Sequence, residues 1–278
     1  MYRSSSLLVW LVIPAASIIG IFFIYPLCFS LYSAFASSTG GFTFEHMSKS
    51  FGLYSRDIGY TVFIVFCSLS ILAIISVAIA SVLRLSPIYS LVKWLGVLYR
   101  IPLFIPLIVT AQMMRTFLAK NGLMNNALVA TGMLTPFDTV SFLGGSGIII
   151  TFVWKQLAFS TLLISGAMAA LDDTQIRAAQ NLGASRVRIL FQIILPQIAP
   201  TLGVTLVLSA VTMMSALSVP LMIGTGSPTM MTADIAFRIN SYGDYHVANS
   251  LGIISYLICA VFAWFYLRHS LKEKGASS

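Results

Sequence analysis

Two cations stand in stretches that offer them no water. Arg115 lies three residues from the end of the apolar run 101–118, and Lys155 lies inside the run 147–171. A charge in hydrocarbon is costly, so it marks a solute pathway or a satisfied structural contact. Arg115 is close enough to the end of its run to reach the headgroups. Lys155 is about 12 Å deep at 1.5 Å per residue, and either faces a pore or bonds the carbonyls of a broken helix. None of the apolar runs contains Asp or Glu, so a pathway lined by these two cations favours an anionic or zwitterionic solute. A nucleophile is also conceivable: Gly144-Gly145-Ser146-Gly147 exposes a serine at the start of an apolar run. It needs a base within hydrogen-bond reach, and the one candidate, His246, precedes the last apolar run instead of lying within it. The pairs Met113–Met114, Met213–Met214 and Met230–Met231 read as gap fillers. Cys28, Cys67 and Cys259 are far apart and odd in number, which offers neither a disulfide framework nor a metal knuckle, and no histidine has a neighbour at ligand spacing. No Gly-x-x-x-x-Gly-Lys-Ser/Thr string occurs, so the residues that would cradle a nucleotide's phosphates are missing.

The elements that hold these residues follow from composition. Of 278 residues only 9 % are charged and 58 % are hydrophobic, and the mean hydropathy is +0.92. A soluble domain carries about 25 % charged residues, so the solvent here is lipid. Six runs are long enough for a hydrocarbon core that takes roughly 17–25 helical residues: 7–35, 58–83, 101–118, 147–171, 198–223 and 247–267. The first is too long for a cleaved signal peptide, whose apolar core is about 7–15 residues, and is expected to stay as a span. Alternating ten-residue segments, the mark of a barrel, are absent. The fold class is therefore all-α and polytopic.

Lys and Arg set the orientation. With the N-terminus in the cytoplasm, ten basic residues lie inside (among them Arg3, Arg84, Arg177, Arg186 and Arg268) and four outside (Lys49, Arg56, Lys120 and Arg238). Both termini are then cytoplasmic. The net charge of +8 is mostly this topology signal, not a nucleic-acid surface, which needs clustered basic residues on one wetted face. The inner segment 172–196 reads as helix: Ile176, Ala179 and Leu182 recur every three residues, Gly183 interrupts, and Val187, Leu190 and Ile194 resume the pattern. Two short amphipathic helices joined at Gly183 are expected between spans four and five, as a docking element for a soluble partner.

The segment RAAQNLGASRVRILFQIILP, residues 177–196, resembles the cytoplasmic EAA loop of the permease subunits of binding-protein-dependent ABC importers. Ala178, Ala179, Gly183, Ile193, Leu195 and Pro196 match six of the seven defining positions. The string FLAKNGLMNNAL, Trp154 and the loop GTGSPTMMT are similar to the same family, over about residues 57–267. The resemblance implies a type I importer fold, with residues 1–56 as an added N-terminal helix and outer loop and 268–278 as a cytoplasmic tail. It also implies that residues 177–196 form a coupling helix seated in an ATP-binding subunit, so that ATP and Mg are held by that partner and no cofactor by this chain. Two such subunits, a second permease subunit, identical or related, and an extracytoplasmic solute-binding protein complete the assembly in the lipid of a bacterial cytoplasmic (inner) membrane, and nucleic acid is no partner. Small Ala178 and Ala179 permit close approach, Gly183 permits the turn, and Ile193 and Leu195 pack the second helix back on the bundle. Pro196 opens the next span, where a missing N–H costs little. The family's Glu is Arg177 here, so either the partner groove is acidic, the favoured reading, or Asp172 and Asp173 take over that contact.

The variant AAQNLGAS looks more like permeases for phosphonate- or sulfate-like solutes, with polyamine- and ferric-type solutes as the alternative, than like the sugar branch. Two other classes remain open. Gly-x-Ser-Gly and six spans are similar to rhomboid intramembrane serine proteases, with Ser146 as nucleophile. An ion-coupled secondary transporter would need intramembrane acids, which the spans do not supply.

Overall fold

A computed structural model of the chain describes residues 12–14, 16–37 and 40–275. These residues are almost entirely helical, with a lone antiparallel bridge between Ala36 and Phe42. Five helices are long and apolar enough to cross a membrane: Val12–Phe35, Glu45–Leu85, Gly145–Ala169, Arg186–Ser215 and Tyr245–Trp264. A sixth crossing exists if the pair Tyr89–Phe104 and Leu107–Ala130, bent by 109°, is one span. In chain order we use α1 (Tyr25–Phe35), α2 (Glu45–Leu85), α3 (Tyr89–Leu98), α4 (Leu107–Leu118), α5 (Leu123–Ala130), α6 (Gly145–Ala169), α7 (Asp173–Asn181), α8 (Arg186–Ser215), α9 (Ser218–Ile223), α10 (Met231–Phe237) and α11 (Tyr245–Gly275). Residues 7–11 of the expected first span and Arg3 lie outside the described residues.

Proline chemistry reshapes two of the expected spans. Run 101–118 is no continuous helix: a 3-10 turn, Ile101–Phe104, stops at Ile105, whose φ of −97° and ψ of 122° are extended, and α4 starts after Pro106. The ring of Pro106 pushes the preceding residue out of the helical region and removes the N–H that Pro102's carbonyl would accept. Run 198–223 likewise ends at Ser215, because Pro220 cannot donate to the carbonyl of Ala216. That carbonyl turns outward at ψ 114° and accepts from the Thr232 hydroxyl at 3.1 Å, and the chain re-forms only the short α9. The expected separate second helix after Gly183 is instead the first part of α8. A π turn, Leu190–Ile194, in which the Leu195 amide donates to Leu190, absorbs Pro196 without a stop.

The described residues fall into two compact units, one of residues up to 56 with 234–257, the other of residues 57–233 with 258 onward. In the first, Ser30 donates to Asn249 at 2.8 Å, the Asn249 amide donates to Ser33 at 3.0 Å, and the His46 and His246 rings stack at 4.8 Å. Arg238 donates to the Tyr54 hydroxyl and pairs with Asp244 at 3.5 Å, which also meets Lys49 at 3.5 Å.

The second unit holds two packed clusters. One joins Ile64 and Leu72 of α2 to Phe152 of α6, Met213 of α8 and Ile223 of α9. Lipid is as apolar as these side chains, so close packing and not water exclusion holds them. Small residues permit that packing: a Cβ on Gly147 would lie 2.5 Å from the Phe142 carbonyl oxygen and 2.8 Å from Ile223. The other cluster joins Ala80, Ile164 and Met168 to Ile176 of α7 and to Ile189, Ile194 and Ile198 of α8. Here Ile176 and Ile189, both in the segment that leaves the spans, are buried. Exclusion from water stabilises each by roughly 1.5–3 kcal/mol, which anchors the helix pair to the spans.

Candidate functional site

Each helix of the pair is started by a side chain. Asp172 accepts from the Thr174 amide at 2.9 Å and from its hydroxyl at 2.6 Å, starting α7. These two bonds, the hydroxyl's first, hold the Asp172 carboxyl below the usual carboxylate range. Ser185 accepts from the Arg188 amide at 3.3 Å and starts α8. Between them α7 ends in a Schellman arrangement: the Gly183 amide donates to Gln180 at 2.9 Å and the Ala184 amide to Ala179 at 2.9 Å. Gly183 has a φ of +79°, the left-handed conformation that a Cβ opposes.

This geometry distributes the motif residues over two faces. Ala179, Ile193 and Leu195 pack against the cluster of Ile176, Ile189 and Ile194. Arg177, Ala178, Gly183 and Pro196 are exposed. The side chain of Arg177 is 77 % exposed and stands 3.9 Å from Asp173 one turn earlier, while Asp173 also accepts from Arg84 of α2. Asp172 and Asp173 are thus engaged within the chain, Asp173 with both Arg84 and Arg177, and the Arg177 side chain stays largely exposed. The three-residue spacing misplaced two apolar side chains: Leu182 is 88 % and Val187 65 % exposed, and Phe191 beside them is 61 % exposed. Leu182 occupies the last position before the left-handed turn, where the chain leaves the helical track and carries its side chain off the packed face. The apolar rim around Gly183 was hidden in the sequence because its residues read as core.

The two intramembrane cations are both bound to backbone. Lys155 Nζ donates to Pro102 at 2.8 Å and to Ile105 at 2.5 Å. The break at Pro106 takes the i+4 helical donor from both carbonyls and leaves Pro102 only the Ile105 amide at 3.4 Å, so the ammonium supplies donors there. Arg115 Nη1 donates to Met222 at 3.0 Å, in the last turn of α9, while the Gly144 amide takes the neighbouring Ile223 carbonyl at 2.9 Å. Carbonyl ends of helices carry partial negative charge, so both cations sit where that charge is left uncovered.

Ser146 donates to the Phe142 carbonyl at 3.1 Å, the backbone of its own turn. His246 Nδ1 is 2.8 Å from the Ser33 carbonyl oxygen. Gly144, at a φ of +89°, and close-packed Gly147 account for the glycines around Ser146 as a packing junction.

A sequence model of the family described as "Binding-protein-dependent transport system inner membrane component" matches residues 4–272. The chain is 25 % identical over 290 residues to the trehalose/maltose transport system permease protein MalF of Thermococcus litoralis, covering 96 % of this chain and 94 % of that protein. It superposes with a TM-score of 0.82 on a chain of a bacterial ABC transporter involved in the import of the acidic polysaccharide alginate, at 22 % identity, over 97 % of this chain and 96 % of that one. A structure of a bacterial alginate ABC transporter in complex with an alginate pentasaccharide-bound periplasmic protein gives a TM-score of 0.80 at 21 % identity, over 95 % and 93 % of the two chains.

Proposed function

The chain belongs to the family of inner membrane components of binding-protein-dependent transport systems, and from that premise we propose how its helix pair couples a separate ATPase to solute movement. It is a multi-pass permease subunit of an ABC importer. The observation that carries the coupling proposal is the α7–Gly183–α8 corner. It exposes Arg177, Leu182, Val187 and Phe191 on one side and is anchored through Ile176 and Ile189 on the other. An ATP-binding subunit seated on the exposed side pushes on a helix that continues unbroken from Arg186 to Ser215, about 45 Å at 1.5 Å per residue. Closure of two ATP-binding subunits thereby moves span five as a rigid body and biases the pathway between its two states. This chain binds no nucleotide itself. A second permease subunit, identical or related, completes the pathway, and an extracytoplasmic binding protein delivers the solute. The assembly sits in a bacterial cytoplasmic membrane with both termini of this chain inside, the orientation that its lysines and arginines favour. Arg177 meets an acidic side chain of the ATPase groove.

The solute is a saccharide or glycoside. Support comes from relatives and neighbours named for trehalose, maltose and alginate. Of the two grounds for an anionic solute, cations facing a pathway and the AAQNLGAS variant, the first is weakened because Lys155 and Arg115 are both bound to carbonyls, and an acidic saccharide such as the neighbour's alginate remains within this class.

The test is ATP hydrolysis by the assembly purified through this chain and placed in lipid bilayers. Saccharide-loaded binding protein is expected to stimulate it and empty binding protein is not, and Arg177→Glu is expected to weaken the stimulation. Uptake without ATP, driven by a proton or sodium gradient, overturns the ATP-driven reading, and an Arg177→Glu assembly that couples as well as the parent overturns the acidic groove.

A further inference from the structure

Where α2 ends and α8 begins, two recesses of opposite character adjoin. One, of about 360 Å³, is lined by Arg84, Arg177 and Arg186 with Asp173 as its carboxylate. Asp173 is already shared by Arg84 and Arg177, so the recess keeps an excess of positive charge. The other recess, of about 250 Å³, is lined by Val82, Leu91, Val187 and Leu190 and is almost wholly apolar. The two share Leu85, Ser86 and Arg186, so an anion seated on the arginines would stand at the mouth of an apolar channel.

We propose that this composite recess binds an anionic phospholipid, its phosphate held by Arg84 and Arg186 and the upper part of one acyl chain lying along Val82, Leu91 and Leu190. The argument is chemical. A free phosphate would use the arginines and leave the apolar half empty, and a zwitterionic lipid would use the apolar half but bring its cationic group to a recess that already holds an excess of positive charge. An anionic headgroup with a tail satisfies both. The position suits it, because Arg84 lies one residue before the end of the α2 span, and basic pockets between spans on the cytoplasmic side recognise such headgroups. That side is cytoplasmic in the orientation proposed above, but binding itself does not depend on orientation. A lipid held here bridges the end of α2 to the start of α8 and ties the helix pair to the leaflet.

The test is native mass spectrometry of the detergent-purified assembly offered equal amounts of phosphatidylglycerol and phosphatidylcholine. The parent is expected to retain phosphatidylglycerol preferentially. Arg186→Gln, an exposed site, is expected to cut that preference about fivefold, the effect of roughly one arginine near a headgroup, and Arg186→Lys to restore most of it. Leu91→Gln is expected to lower retention of both lipids without changing their ratio. No preference in the parent, an undiminished preference in Arg186→Gln, or full displacement of the lipid by millimolar inorganic phosphate each overturns the proposal. Lipid binding is read without ATP or solute, so failure here leaves the transport reading standing, and failure of transport leaves this one standing.

Discussion

At Lys155 the two readings of an intramembrane cation separate by geometry. A pore-facing ammonium points at water, whereas this one donates to the two carbonyls whose i+4 helical donors are lost at the Pro106 break. Lys155→Met should therefore lower the stability of the assembly by about 1–3 kcal/mol, the cost of an unsatisfied buried polar group, read as a lower thermal midpoint, with Lys155→Arg recovering most of it. An unchanged midpoint with lost uptake would return Lys155 to the pathway. The sequence carried half of this result, since it placed a charge in a span and a proline in the run before it. What it could not give was the pairing between them, because 50 residues separate Lys155 from Ile105 and only the packing of α6 beside the break brings them together. Thr232 and Ala216 follow the same rule at Pro220, and there the sequence offered no charge to draw attention.

Among elements, helices with their own punctuation were the most legible. Gly183, read as the break between two helices, stands where α7 stops, and Asp172 and Ser185, cap residues by type that the periodicity did not call on, start the two helices. The cap also has a pH signature. Because the Thr174 bonds lower the carboxyl's pKa in the folded chain, the stabilisation is fully present above the unfolded carboxylate range and fades as pH falls through the folded value. Amide exchange at Thr174 should accordingly speed up in Asp172→Ala at neutral pH, and the protection of that amide in the parent, relative to its intrinsic rate at each pH, should fade as pH falls below the usual carboxylate range. Equal exchange in parent and variant at neutral pH would show that the cap contributes nothing. Continuity of α8 was less legible, since Gly183, Pro196 and Pro200 all suggest interruption. The helix survives Pro196 by widening into a π turn, a compensation that depends on neighbouring turns and not on residue type. Length and hydropathy likewise drew the third span straight, because neither measures the backbone cost of Pro102 and Pro106.

For the whole molecule, composition alone settled the solvent and the fold class, and twenty residues of motif settled the family that the match over residues 4–272 establishes. The solute lay beyond both, because a pathway is built by side chains from many spans. One consequence of the two bound cations concerns electricity. A membrane voltage performs work on a conformational switch only by displacing charge along its field, about 2.3 kcal/mol per elementary charge and 100 mV. Lys155 and Arg115 are each tied to a carbonyl of a neighbouring helix, so they travel with the backbone they neutralise and offer the field no loose charge to pull. Import of an uncharged saccharide into vesicles held at different potassium diffusion potentials should therefore proceed at one rate. A rate that climbs with voltage would mean that one of these cations leaves its carbonyl on every cycle.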